Sequence, residues 1–316
     1  MSATVSQSTA GPVPGVYTSL EELTRLQFEI SGFSFLPRQP VHSILAGRHA
    51  SRLRGRGLNF EEIRRYLPGD DIRTMDWHVT ARTRTPHIRV YTEERERSVL
   101  LLVDQRITMF FGSVRNMKSV TAAEAAALGA WRVLAQKDRI GAIVFNDTGL
   151  AEFPPQRSRA RVMQILHALV EQNRGLSIHA GIRPNPGMLN EALRHVDRLA
   201  THDFLVCIVT DGAGADEETR RLLTNLTRHN DALVALVSDP LEMDLPDAGA
   251  VVFSDGKLQL ELDTSDRRIR RDFHDAFALT RSKSAHFLLQ RKTPVIPLTT
   301  AESVSRQLRR RLGASA

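Results

Sequence analysis

Two aspartates stand where an α/β sheet would present them to a ligand. Asp104 closes the apolar run SVLLLVD (98–104), and Asp211 closes DFLVCIVTD (203–211). Runs of this kind fit strands buried on both faces, and open α/β sheets take their ligands beyond the carboxyl ends of such strands. A carboxylate placed there can hold a metal, move a proton or pair with a cation. A second constellation lies upstream. Asp70, Asp71 and Asp76 interleave with Arg64, Arg73 and Arg82, with Tyr66, Gly69 and Trp77 among them. Two readings fit it: a partner surface, or a buried ion-pair network holding this stretch to the rest of the chain. The second is the expectation, with Trp77 as the apolar anchor of the network.

Other chemistry is missing from the sequence. GAGADE (212–217) has glycines but no Gly-Lys-Ser/Thr, so there is no phosphate-cradling loop of the Walker type. No Gly-x-Ser-x-Gly turn offers a serine nucleophile. The 11 histidines are scattered, with no pair at metal-ligand spacing. The single cysteine, Cys207, sits inside FLVCIV and reads as a small core residue. Glu93, Glu94 and Glu96 are interrupted by Arg95 and Arg97, as on a solvated, ion-paired face. No catalytic residue and no cofactor are expected. The formal charge of +7 raises nucleic-acid binding as a possibility. Between Arg48 and Arg97, however, 12 arginines face 8 acids, which is interleaving and not a basic block.

The elements that would position these groups follow from periodicity. Residues 1–15 are rich in Ser, Thr, Gly and Pro and are expected to be a disordered tail without the marks of a signal peptide. TSLEEL (18–23) starts a helix. From 47 to 97 the pattern suggests irregular structure and short strands, HIRVYTE (87–93) among them. Buried strands are expected at 98–104, 140–147, 203–211 and 232–239, and a last one at 294–299. Helices are expected at 118–136, 157–171, 189–200, 217–228, 265–289 and 301–312, and a hairpin at 249–262. In the first of these helices Val120, Ala123, Ala127, Trp131 and Leu134 share a face. Alternating apolar strands and amphipathic helices give a mostly parallel sheet with helices on both faces, preceded by an N-terminal extension with short strands. The expected division is 1–15, 16–97 and 98–316. No run reaches the ~18 apolar residues of a membrane helix, so the expected location is the cytoplasm.

Residues 55–96 (GRGLNFEEIRRYLPGDDIRTMDWHVTARTRTPHIRVYTEERE), followed by SVLLLVD and DRIGAIVFND (138–147), resemble the bacterial domain-of-unknown-function family 58. The matching positions are Gly55, Gly57, Phe60, Arg64, Tyr66, Gly69, Asp70, Asp71, Arg73, Asp76, Trp77, Ala81, Arg82, Glu94 and Arg95. The resemblance implies a von Willebrand factor A-like domain behind a family-specific extension. It also implies a MoxR-type AAA+ ATPase as partner, with a role in maturation or assembly of a client protein.

Domains of that fold often hold a divalent cation through Asp-x-Ser-x-Ser, a threonine from a second loop and an aspartate from a third. Carried over, the pattern assigns Asp104, Thr108 and Asp211 to a degenerate metal site. Arg106 occupies the first serine position and has only donors to offer. The segment that should bring the threonine, Asn185–Asn190, has none. Two aspartates at adjacent strand ends repel unless a cation lies between them. Arg106 is either that cation, substituting for the metal, or a solvent-facing side chain. The function expected is a non-enzymatic adaptor or co-chaperone. The alternatives are a metal-dependent enzyme or nuclease, and a nucleic-acid-binding protein.

Overall fold

The computed structural model describes residues 14–32, 58–93, 97–254, 259–288 and 293–313. By contact the chain divides into two units, Met1–Pro37 with Arg97–Ala316, and Arg38–Glu96. The extension expected over 16–97 is therefore not one piece. Its first helix, α1 (Leu20–Arg25), belongs to the larger unit. Ser19 caps it in a reciprocal box with Glu22, which satisfies two of the free N–H groups at a helix start. Leu23 is fully buried in the larger unit's core, and its carbonyl accepts the Trp131 indole N–H at 3.0 Å. Of the tail expected over 1–15, residues 1–13 lie outside the described residues. Gly15 is held in place, its carbonyl accepting from Met117 N at 2.7 Å.

The smaller unit is a hairpin with a helix between its strands. β1 (Leu58–Arg65) pairs antiparallel with β2 (His87–Glu93), and α2 (Trp77–Thr83) lies in the connection. The helix was not evident from the sequence. It is short and threonine-rich, and its start rests on one cap, Asp76.

The larger unit opens with β3 (Ser98–Asp104), followed by α3 (Lys118–Ala135), β4 (Arg139–Phe145), β5 (Leu150–Gln156), α4 (Arg159–Arg174) and α5 (Met188–Leu199). Then come β6 (Phe204–Thr210), α6 (Glu217–Leu226), β7 (Asp231–Ser238) and α7 (Pro240–Met243). β8 (Ala250–Ser254) and β9 (Gln259–Asp263) form the expected hairpin, whose turn lies outside the described residues. α8 (Arg267–Leu288), β10 (Val295–Thr299) and α9 (Val304–Leu312) complete the described residues.

The main sheet has the order β10-β7-β6-β3-β4-β5, parallel throughout except for β5, which runs antiparallel at one edge. Side chains alternate between the faces of a strand. Val99, Leu101 and Val103 pack towards α3 and α4, while Leu100 and Leu102 pack towards α5 and α6. This is the expected von Willebrand factor A-like arrangement, with helices on both faces. α3 is buried almost all round because α1 and α9 cover the side it turns away from the sheet. Its alanines leave room for that close packing. β5 had no clear signal: its residues alternate in exposure and it ends in Pro154-Pro155-Gln156, which only an edge strand tolerates. Among the described residues no helix is long and apolar enough to cross a membrane.

Candidate functional site

The parallel register brings the ends of β3 and β6 side by side, with Val103 opposite Val209. Asp104, the last residue of β3, is fully buried. Its carboxylate accepts from the backbone N–H of Arg106 (3.0 Å), from Arg106 Nε (3.0 Å), from Arg106 Nη2 (2.6 Å) and from Thr210 Oγ1 (2.7 Å). Arg106 stands at the start of the short 3-10 turn Ile107–Met109, and its side chain runs inward to Asp104. Only 1% of it is exposed. Its Nη2 also donates to the carbonyl of Ala213 at 2.9 Å and lies 3.9 Å from Asp211 Oδ1, and the guanidinium rests 5.5 Å over the Phe145 ring. Of the two readings left open for Arg106, the structure places the cation between the aspartates. Burial would weaken its hold on the proton. The charge of Asp104, with Asp211 and Asp147 behind it, outweighs this and raises its pKa.

A second cation was missed. Lys118, the first residue of α3, is buried, with Nζ 3.0 Å from Asp211 Oδ2 and 2.5 Å from Glu242 Oε1. Glu242 comes from α7, beyond the end of β7. The signal in the sequence was weak but physical. A lysine at a helix N-terminus opposes the helix dipole, so its place there calls for a separate partner. Burial works against the charged form of Lys118, and the two carboxylates more than restore it, so its pKa is raised. Asp211 shows the reverse. Burial would push its carboxyl up, but Lys118, Arg106 and the Ala213 N–H hold it below the ordinary carboxylate range. The loop carrying Asp211 is tightly fitted. Gly214 has φ +80°, and a Cβ there would lie 2.6 Å from the Pro186 side chain.

Neighbouring carboxylates hold backbone. Asp147 accepts from Ile107 N at 2.6 Å and Asn185 N at 2.8 Å. Asp239 accepts from Ser113 N, Ser113 Oγ and Thr300 Oγ1.

Mg²⁺ needs oxygen ligands at about 2.0–2.1 Å in near-octahedral array. The Thr108 hydroxyl is buried without a hydrogen-bond partner, as a vacated ligand would be. The oxygens of Asp104 and Asp211, however, are taken by Arg106, Thr210, Lys118 and the Ala213 N–H. In the segment that should bring the threonine, Asn190 is turned to Asp216 and Thr219. The residues present do not fit a divalent ion.

The upstream constellation divides differently from expectation. Asp70 is held by both terminal nitrogens of Arg64 at 2.8 Å and by Leu67 N at 2.8 Å. Asp71 accepts from Arg73 N at 3.0 Å. Asp76 is buried, caps α2 through His78 N and Val79 N, and pairs with Arg89 Nε at 2.8 Å. Arg89, unnoticed in the sequence, thus takes the place expected for Arg73 or Arg82. Tyr66 is half-buried and its backbone N–H donates to Pro86 O, while Gly69 takes φ +107° in the turn before Asp70. Trp77 is not an anchor. It is 66% exposed, and among the described residues the buried apolar side chain of the unit is Ile88.

A family model described as "Protein of unknown function DUF58" matches residues 62–283. Relatives include "Uncharacterized protein Rv1480" of Mycobacterium tuberculosis (strain ATCC 25618 / H37Rv) and "Uncharacterized protein Mb1516" of Mycobacterium bovis (strain ATCC BAA-935 / AF2122/97). Each is 31% identical over 264 residues, 83% of this chain and 81% of the relative. Among solved structures, the conserved hypothetical protein BatB from Bacteroides thetaiotaomicron aligns at 14% identity and TM-score 0.38, over 67% of this chain and 93% of that one. A von Willebrand factor type A protein from Catenulispora acidiphila aligns at 11% identity and TM-score 0.37, over 71% and 43%.

Proposed function

The chain belongs to the DUF58 family, and from that premise we propose that it is a non-enzymatic adaptor or co-chaperone working in the cytoplasm with a MoxR-type AAA+ ATPase on a client protein. The observation that carries the non-enzymatic part is the state of the carboxyl edge. Asp104, Arg106, Lys118, Asp211 and Glu242 each spend their charge on a neighbour within that edge. A general acid or base needs a titration poised near the working pH. Here the carboxyl of Asp211 is shifted down and the cations are shifted up, away from neutrality on both sides. The ATPase as partner is supported by the family resemblance alone.

The test is to mix the purified chain with a MoxR-type ATPase from the same organism. The chain alone should turn over no ATP, and the ATPase rate should change in its presence, with co-elution of the pair. An unchanged rate without co-elution at several salt concentrations would remove the adaptor reading.

A further inference from the structure

We propose that the Leu67–Trp77 loop and α2 of the smaller unit form a docking surface for an acidic, amphipathic segment of a partner protein. Among the described residues, four of the eight exposed large apolar side chains of the chain lie in this small unit: Ile63, Leu67, Ile72 and Trp77. Leu67, Ile72 and Trp77 are exposed by 60%, 61% and 66%. Single exposed apolar residues are ordinary, but a concentration of them on one short loop marks an interaction site.

The loop is built to present them. Each of its three carboxylates turns to backbone: Asp70 to Leu67 N, Asp71 to Arg73 N, Asp76 to His78 N and Val79 N. Arg64 and Arg89 clamp two of the carboxylates to β1 and β2. The polar groups thus hold the loop's shape and the apolar groups face out, the reverse of a loop folding over its own core. A segment held this way loses little conformational freedom on binding.

Charge selects the occupant. Arg65, Arg73, Arg82 and Arg84 are exposed and none has a side-chain partner among the described residues, whereas the unit's aspartates are all engaged as above. The unit's cations are all arginine, from 58 to 93. Arginine forks match carboxylates in pairs, and Trp with Arg is the composition of protein-interface hot spots. Nucleic acid would use the arginines and Trp77, but Leu67 and Ile72 offer bases no stacking surface. An acidic amphipathic helix or strand uses all of them.

This deepens the adaptor reading and rests on it only for the partner being a protein. Loss of ATPase co-elution and loss of binding here are separate outcomes. The probe is a synthetic amphipathic helix of glutamate and leucine, titrated into the full chain. The controls are the same helix with lysine for glutamate, a single-stranded oligonucleotide, and phosphatidylglycerol vesicles. Trp77 is the reporter, since the other tryptophan, Trp131, is buried. Trp77→Phe supplies the blank. The expected result is a saturable shift of Trp77 emission to shorter wavelength with the acidic helix and not with the controls. By anisotropy of the labelled peptide, Trp77→Ala should weaken binding about thirtyfold, the loss of a central hot spot. Arg73→Glu with Arg82→Glu should weaken it about tenfold. The proposal is overturned by no response, by an equal response to oligonucleotide or vesicles, or by emission already at short wavelength in the free chain, which would mean the face is covered by the chain itself.

Discussion

Replacing Arg106 by serine tests the substitution of side-chain cations for a metal. The guanidinium makes three contacts within 3.2 Å of the Asp104 carboxylate and is itself 1% exposed. Its removal leaves Asp104 with the N–H of residue 106 and the Thr210 hydroxyl, a buried charge without a counter-charge. Breaking one side of a buried pair costs about 3–5 kcal/mol. For a unit of this size each kcal/mol moves Tm by about 2–4 °C, so the variant should melt on the order of 10 °C below the parent. Magnesium should rescue the single variant poorly, because Lys118 still occupies Asp211 Oδ2 at 3.0 Å. The double variant, Arg106→Ser with Lys118→Ala, frees both aspartates of their cations and leaves the unpartnered Thr108 hydroxyl two residues from the new serine. There a ligand at ten times its Kd adds about 1.4 kcal/mol, a saturable rise of about 3–6 °C. Calorimetry on the parent should show no Mg²⁺ or Mn²⁺ binding, a readout independent of whether the variants fold. Saturable divalent binding by the parent would refute the reasoning, as would an Arg106→Ser variant melting with the parent.

Other outcomes follow from the same contacts. Asp76→Ala should cost about 1–2 kcal/mol, from the lost helix cap and a pair whose arginine is nearly half exposed. The loss should appear as faster proteolysis or hydrogen exchange in the smaller unit, with the main melting transition unmoved; a lower main transition would refute it. The Asp211 carboxyl is depressed, so its contribution is present above the unfolded value near 3.9 and is lost as pH falls through the lower folded value. Acid melts of the parent should therefore lose this part only below about pH 4, and loss already at pH 6 would contradict the pairing. Glu124 has the opposite sign. Burial raises its carboxyl despite Arg115 and the Asn116 amide, so stability falls as pH rises from the unfolded value through the folded one. Glu124→Gln should flatten that slope without lowering Tm at neutral pH; a slope equal to the parent's would refute it.

The strands were legible because continuous apolar runs have few other uses, and Asp104 and Asp211 were legible as the carboxylates at their ends, the last residue of β3 and the first beyond β6. Their partners were not. Lys118 sits 93 residues before Asp211 and 124 before Glu242, and only the order of strands brings the three together. The direction of the Arg106 side chain was likewise undecidable, since Ala213 and Phe145, which hold it together with Asp104, lie far off in the sequence. In the smaller unit the set of charges read from the sequence holds one of the pairs seen, Arg64 with Asp70, and omits Arg89, the partner of Asp76. The bridge between Met75 and Ile88 and the Asp76 N–H donated to His87 O lay Asp76 along β2 and bring it to Arg89, and no local spacing encodes that alignment. Trp77 was assigned inward on its apolar character alone, a rule that holds for cores and fails for surfaces built to bind.

At the sheet edge Asp104, Asp211 and Glu242 bind side-chain cations that belong to the chain itself. The backbone that carries these groups includes the Gly212–Gly214 loop, whose glycines have φ +76° and +80°, and α7, which carries Glu242. Moving either would separate Lys118 from one of its two carboxylates and leave a buried charge unpaired, which is costly. In the smaller unit the carboxylates hold loop backbone, and the arginines left over face outward beside apolar side chains. Paired charge at the edge and unspent charge on the loop make the loop the cheaper place to meet a partner, since binding there breaks no existing pair.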